Sequence, residues 1–495
     1  MSRQERVVIV GAGVGGIGMA IELQRHGFSD ITILERADGL GGTWRYNTYP
    51  GCTCDVPSHL YSFSFAQRRD WSRLCSPQDE ILEYLQAVAR EHTVDRLVVP
   101  NANVTACSWD EDACQWTISA EDGRQWQAEA LIVATGQLHQ PAMPRLEGAE
   151  EFQGHSFHSS RWDHDYDLRG KRVAVIGTGA SAIQFIPQVA EQAAQLDVFQ
   201  RTGNWFLPRR NRQYPGWIKA LIGLVPGLQA LRRKYIYYYA ESLTVMIRHP
   251  RTWGQIGRLN STLFMRSQLK DPEVRRKAWP DFQFGCKRIL FHSEYLPTLL
   301  RTNVELITDP ISRLSPTGIV TTDGREREID CLIYATGFRT TEFMFPMEIT
   351  GQDGLSLREA WSDGPHAHLG IAVPSFPSLF IMYGPNTNTS GGSIIFYEEA
   401  QAAYIRQALE LVRSRQAAAI EVRPEVEAAS DRAVQARFNG TAWTACDSWY
   451  RDRQGRIVAN WPGYMREYGE RLRTLDPSEY ELIPAPAPAR EPVPA

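Results

Sequence analysis

Two glycine-rich turns carry the clearest chemistry in this chain. The first, Gly11-Ala12-Gly13-Val14-Gly15-Gly16, follows the apolar run 7–10, and Glu35 ends the next apolar run, 31–34. In such a pattern Gly11 makes a tight turn and Gly13 lets a pyrophosphate approach the backbone. Gly15 and Gly16 open a helix that can pack on the strand, and Glu35 can accept from a ribose hydroxyl. The second turn, Gly177-Thr178-Gly179-Ala180-Ser181-Ala182, lies between the runs 173–176 and 196–199. There Ala182 takes the place of the third glycine at the helix-packing position. The second run ends in Gln200-Arg201-Thr202, with no acid at the ribose position. An acid would repel a 2′-phosphate, whereas Arg201 can pair with one bidentately, which selects NADPH over NADH.

Between the two turns lie Gly41-Gly42-Thr43-Trp44, then Tyr49-Pro50-Gly51, then Asp55. Glycines placed after a ribose-binding acid suit the bend of FAD as it runs from its adenine half to its flavin ring. Asp55, in aromatic surroundings, has two readings from residue type alone. It caps a turn through its side chain, or it is the electrostatic partner of a catalytic cation.

These residues need elements to hold them. Each turn sits in a strand–turn–helix–strand unit of about 30 residues, the βαβ signature of dinucleotide folds. Two further apolar runs, 131–133 and 332–334, each enter Ala-Thr-Gly, at 134–136 and 335–337. The expected fold is therefore α/β with two Rossmann-like dinucleotide-binding domains. Residues 205–284 change to a helical pattern rich in tyrosine and arginine, read as a helical insertion in the NADP domain. That segment also suits an amphipathic contact on a membrane surface. The expected division is residues 1–145 for the first part of the FAD domain and 146–345 for the NADP domain. Residues 346–482 then complete the FAD domain and the C-terminal region, and 483–495 form a disordered Pro/Ala tail.

A length of 495 residues calls for two or three domains, and a net charge of −4 gives no electrostatic reason to expect nucleic acid. The opening residues lack the pattern of a signal peptide, and no uncharged apolar run is long enough to cross a bilayer. The eight cysteines are scattered. Only Cys52 and Cys54 are close, and no Cys/His set has zinc spacing, so the expectation is a cytoplasmic protein with free thiols and no metal.

Phe152-x-Gly154-x3-His158-x3-Trp162-Asp163, set between the two nucleotide motifs, resembles the fingerprint of type I Baeyer–Villiger monooxygenases. Gly41-Gly42-x-Trp44, Tyr49-Pro50-Gly51 and Asp55 are similar to that family's second fingerprint. The likeness runs from Gly11 to Trp449 and implies specific roles. Arg288, in Gly285-Cys286-Lys287-Arg288, would be the catalytic arginine over the flavin, held by Asp55, with Lys287 a second contact to NADP. Gly42, Thr43, Trp44, Tyr61 and Val104 would lie near FAD. Thr178, Gly179, Ser181, Gln184, Arg201 and Thr202 would surround NADP, which Trp449 would also reach. His158 would couple domains rather than transfer protons. After Trp449-Tyr450 the chain departs from the Gly-Ala-Asn-containing run of the cyclohexanone-type subgroup, which argues against a small cyclic ketone.

The implied reaction uses NADPH and O2 to insert one oxygen beside a ketone carbonyl, giving an ester or lactone through a C4a-peroxyflavin. A flavin S- or N-oxygenase acting on soft nucleophiles such as sulfides is the alternative. A disulfide reductase would need a redox cysteine pair, for which Cys52-x-Cys54 has the wrong spacing. A non-catalytic nucleotide sensor is the third reading.

Overall fold

The computed structural model describes residues 5–209, 211–389 and 391–485. The first nucleotide unit is β1 (Val7–Val10), α1 (Val14–Arg25) and β2 (Ile31–Leu34), joined later in the chain by β3 (Ala130–Val133). The second is β4 (Arg172–Ile176), α2 (Ala182–Ala190) and β5 (Gln195–Phe199). Four helices follow: α3 (Gly216–Leu224), α4 (Leu228–Arg248), α5 (Trp253–Gln268) and α6 (Pro272–Ala278). Then come β6 (Cys331–Tyr334), β7 (Leu379–Ile381) and α7 (Ile394–Arg415).

Two five-stranded parallel sheets result, in the order β7-β3-β1-β2-(Val98–Val99) and (Val304–Ile307)-β5-β4-β6-(His155–His158). All four residues of β1, of β3 and of β6 are buried, so these strands read as continuous apolar runs rather than alternating ones. The α/β class with two Rossmann-like units is therefore observed. The sheets also repeat one contact. A Cβ added to Gly11 (φ +108°) would lie 2.6 Å from the Ala134 carbonyl oxygen, and one on Gly177 (φ +109°) would lie 2.4 Å from that of Ala335. The Ala-Thr-Gly motifs thus lie against the glycine turns, and a side chain at either first glycine would strike backbone.

Two sequence expectations change. The helices inserted in the second unit run from Gly216 to Ala278, a narrower span than 205–284. Ile483 and Pro484 belong to no disordered tail: Tyr480–Pro484 pairs antiparallel with Ala417–Val422, setting Ile483 opposite Ala419. Proline tolerates the last place of such a strand, where its missing N–H breaks no further rung. The remainder of the expected tail, from 486 onward, lies outside the described residues.

The two units are fastened by the Tyr-Pro-Gly motif. The Tyr49 ring meets Phe185 of α2 edge-on at 5.9 Å, and Trp162 packs on Phe185 at 5.1 Å. Gly51 (φ +79°) backs onto α2 so closely that a Cβ there would sit 2.8 Å from the Gln184 carbonyl oxygen. Phe185 is fully buried at this junction. Phe185→Ala should lower unfolding stability by about 3–5 kcal/mol, since it leaves a cavity beside the Tyr49 and Trp162 rings. Denaturant unfolding with an unchanged midpoint would show that the junction does not contribute.

Candidate functional site

A cavity of about 420 Å³ opens where the first glycine turn, the Tyr-Pro-Gly segment and the start of α7 meet. Of the expected FAD residues, Gly11, Gly13, Gly15, Glu35, Gly42, Thr43, Trp44, Tyr61 and Val104 line it. Gly16 is not among the lining residues and packs on its own turn, where an added Cβ would lie 1.9 Å from the Gly11 oxygen. The Glu35 carboxylate accepts from the Ala12 and Ala37 amides at 2.8 Å each. It therefore holds the turn shut, and each oxygen keeps a further lone pair for a ligand. The Trp44 indole donates to the Tyr61 hydroxyl at 3.0 Å and fixes both rings at the cavity wall.

Asp55 and Arg288 also line this cavity. Arg288 Nη2 donates to both Asp55 oxygens, at 2.8 and 2.6 Å. A turn cap would require Asp55 to bond local backbone, so of its two readings the contact with a cation is the one seen. Burial pushes the Asp55 carboxyl up, but the Arg288 charge and hydrogen bond outweigh it and leave the group below its ordinary range. Arg288 is raised in turn by Asp55. Only Nη2 is spent on Asp55, and 37% of the Arg288 side chain stays accessible. The other guanidinium donors of a cavity-lining arginine are thus available to a reactant.

The residues expected around NADP divide. Ser181 and Gln184 line the same cavity, while Thr178, Gly179, Arg201, Thr202, Lys287 and Trp449 lie outside its wall. Gln184 also ties the two units: its Oε1 accepts from the Thr53 amide and its Nε2 donates to the Thr53 carbonyl, both at 3.1 Å. The Lys287 ammonium stands 4.8 Å from the Phe282 ring. Burial and then the Arg201 charge lower its pKa, partly offset by Asp281 and Asp447. Trp449 is 37% exposed, and its carbonyl accepts from the Thr340 hydroxyl at 2.9 Å.

The expectation of free thiols needs correction. Cys286 and Cys446 form a disulfide across 160 residues of sequence, fastening the Lys287-Arg288 segment to the stretch of chain just before Trp449. No local spacing announces such a pair. Cys52 and Cys54 are free and buried, and burial pushes the Cys52 thiol up to about 12, which suits neither a nucleophile nor a redox couple.

His158 Nδ1 accepts from the Ser160 amide at 3.1 Å, so the ring proton belongs on Nε2, and burial lowers its pKa. The segment Gly384-Pro385-Asn386 leads from β7 towards α7. Asn386 Nδ2 binds the Ile457 and Asn460 carbonyls, and it is Asn388, Thr389 and Gly392 that line the cavity before α7 begins at Ile394.

Two buried groups escaped the sequence reading. Glu398, on the first turns of α7, lines the cavity at 8% exposure, and its Oε2 has no hydrogen-bond partner. Burial pushes its carboxyl up to about 8. His59 is fully buried with neither ring nitrogen bonded, and burial, then Arg232 and Arg233, push it down to about 4. Neither belongs to a motif; only the tertiary structure buries them, and of the two Glu398 alone lines the cavity.

Known proteins share this fold and much of this sequence. Residues 8–251 match the family model described as pyridine nucleotide-disulphide oxidoreductase. The chain is 39% identical to a Baeyer–Villiger monooxygenase of Pseudomonas aeruginosa, covering 99% of this chain and 93% of that one. It is 40% identical to another from Streptomyces coelicolor, covering 97% and 93%. Among solved structures, an oxidized steroid monooxygenase bound to NADP superposes with a TM-score of 0.87 at 30% identity, covering 97% of this chain and 99% of that one. A closed cyclohexanone monooxygenase gives 0.87 at 27% identity, covering 98% and 100%. A fold of paired nucleotide units around an Asp–Arg cavity is that of a flavin monooxygenase. This chain belongs to the Baeyer–Villiger monooxygenase family.

The Glu398 carboxyl gives a pH test of the cavity wall. A carboxyl whose native pKa is raised takes up a proton on folding, so stability falls as pH climbs from the unfolded value of about 4.3 through the native value and is level above it. Flavin-free Glu398→Gln should therefore gain on wild type as pH rises from about 5 to 8, by a few kcal/mol. Parallel Tm profiles for the two proteins would show that Glu398 is not buried as a neutral acid.

Proposed function

We propose that the protein uses NADPH and O2 to insert one oxygen atom beside a ketone carbonyl, giving an ester or lactone. FAD would occupy the cavity. Its pyrophosphate would lie against Gly11 and Gly13, its ribose against Glu35, and its ring among Trp44, Tyr61, Val104 and the start of α7. The residues fit such a group: Gly13 and Gly42 face the cavity without side chains, and a Cβ at Gly42 would lie 2.8 Å from Gly13 Cα. NADPH would sit at the second turn, along Thr178, Gly179 and Ser181, its 2′-phosphate met by Arg201, Thr202 and Lys287, with Trp449 closing over it. The Arg201 charge acting on Lys287 supports that reading, since an anion bound by both relieves their repulsion. The division at 1–145, 146–345 and 346–482 belongs to this proposal, as does a cytoplasmic location, where NADPH is supplied.

Bound FAD supplies the electron relay and the oxygen transfer. The chain's own part is electrostatic, and the observation that carries the proposal is the Asp55–Arg288 pair at the cavity wall. Arg288 is permanently cationic and stabilises negative charge that develops on the reacting oxygen and then on the carbonyl oxygen. Asp55 fixes the guanidinium plane and tempers its charge. The cavity wall keeps water from the reacting atoms.

Arg288→Ala should keep FAD and accept hydride from NADPH, yet make ester about 100- to 1000-fold more slowly, with the consumed oxygen appearing as hydrogen peroxide. Asp55→Ala should lean the same way less completely. Ester and peroxide yield per NADPH, measured on a panel of ketones beside a sulfide, decides the matter. Near wild-type coupling in Arg288→Ala would remove the catalytic assignment, and sulfoxide without ester would favour the S-oxygenase alternative.

Arg201→Ala should raise the KM for NADPH about ten- to a hundredfold and leave that for NADH nearly unchanged, the loss of one charged bidentate contact. Equal changes for both cofactors would show that Arg201 does not read the 2′-phosphate.

A further inference from the structure

The helices inserted in the second nucleotide unit carry apolar residues on both sides. Of the sixteen large apolar side chains exposed among the described residues, twelve fall between Trp217 and Leu263. On α3 they are Trp217, Leu221 and Leu224, one helical stripe, with Leu224 80% exposed. On α4, Leu231, Tyr235 and Tyr238 repeat the same spacing, while Ile236, Ala240, Leu243 and Ile247 fill the inward side. On α5, Trp253, Ile256 and Leu263 face outward, and Gly254, Gly257, Ser261 and Met265 face inward. The core thus has its complement from each long helix, and a second apolar set remains in water. Because α4 packs against both α3 and α5, the outward stripes belong to one continuous three-helix unit. Patches of this kind mark an interaction surface.

Charge says what covers it. Residues 216–270 hold nine Lys or Arg and one acid, Glu241, in a chain whose net charge is −4. Glu241 turns inward to accept from the Arg466 amide, and Arg233 turns inward to the His59 and Ser62 carbonyls. Lys234, Arg251, Arg258, Arg266 and Lys270 stay exposed around the apolar stripes. Exposed Trp and Tyr between leucines, rimmed by cations, is the composition of a helix lying in a lipid interface. A second copy of the chain fits worse, because a two-fold interface sets each basic set against itself. No helix among the described residues is long and apolar enough to cross a bilayer.

We propose that the α3–α5 unit docks the enzyme on an anionic membrane surface, its leucine and aromatic stripes entering the headgroup boundary and its exposed Lys and Arg meeting lipid phosphate. Such a seat would hold the protein where apolar ketones partition, though the docking stands whichever substrate is oxidised. The test uses the full-length, flavin-loaded protein with vesicles of phosphatidylcholine alone or mixed with phosphatidylglycerol. The mixed vesicles should retain the protein and the neutral ones much less, with retention falling as salt rises. Leu224→Ser with Tyr235→Ser should weaken partitioning about tenfold or more while leaving Tm and turnover of a water-soluble ketone unchanged. Lys234→Glu with Arg258→Glu should abolish the preference for anionic vesicles. Failure to sediment with either vesicle overturns the proposal. So does equal binding to both, or a dimer in solution that only the serine variant dissociates.

Discussion

The site depends on one ion pair between segments 233 residues apart, Asp55 after the first glycine turn and Arg288 beyond the helical insertion. Neither charge is comfortable alone at a cavity wall. An enclosed carboxylate without a cation would take up a proton, and an enclosed arginine cannot shed its charge. Holding them at 2.6 Å therefore requires both segments to be fixed with little play. The structure supplies this from both sides. Tyr49 and Gly51 lock the Asp55 loop onto α2, and the Cys286–Cys446 disulfide fixes the backbone next to Lys287 and Arg288.

The same pair explains why the cavity stands at a junction of the two units. A nucleotide unit alone offers a backbone turn and one end of a sheet, enough to bind but not to place a cation over a reacting ring. Asp55 comes from the first unit and Arg288 from chain that has passed through the second. Gln184, whose amide is used in both directions on Thr53, keeps the second unit in register with the loop that carries Asp55. A shift between the units would move Arg288 relative to Asp55 and the cavity wall, so the packing around Phe185 is part of the electrostatics.

How much of this was legible in the sequence follows from what each feature needs. The glycine turns and their strands were legible, because a tight turn against a neighbouring strand admits few residue types; the Gly11–Ala134 and Gly177–Ala335 contacts show the constraint directly. From residue type alone Asp55 stayed one of two readings, since nothing local distinguishes a cap from a counter-ion; the family resemblance pointed to Arg288, and the structure sets the two together. Cys286 and Cys446 were illegible because their pairing is set by tertiary structure alone. The strand at Tyr480–Pro484 was hidden by a composition that turns to Pro and Ala within it. Glu398 was hidden because a glutamate on a helix is ordinarily a solvated residue, and only the path of α7 turns this one inward.

Glu398 and Asp55 show how one cavity holds two carboxyls in opposite states. Both are enclosed, and for both burial alone disfavours the charged form. Arg288 and Arg209 compensate Asp55, so it stays ionised. Glu398 has the like charge of Glu399 as its neighbour and an oxygen without a partner, so it stays protonated at neutral pH. Of these two acids, only Asp55 brings negative charge to the wall, on the side where it orients the arginine. Near the glycine turn, where Glu398 Oε1 comes within 3.1 Å of the position a Gly15 Cβ would take, the carboxyl is neutral. An ionised acid there would oppose any anionic group brought to the turn, whereas a protonated one can donate to it. Burial thus does for Glu398 what the ion pair does for Asp55: it sets which form of the acid the cavity contains.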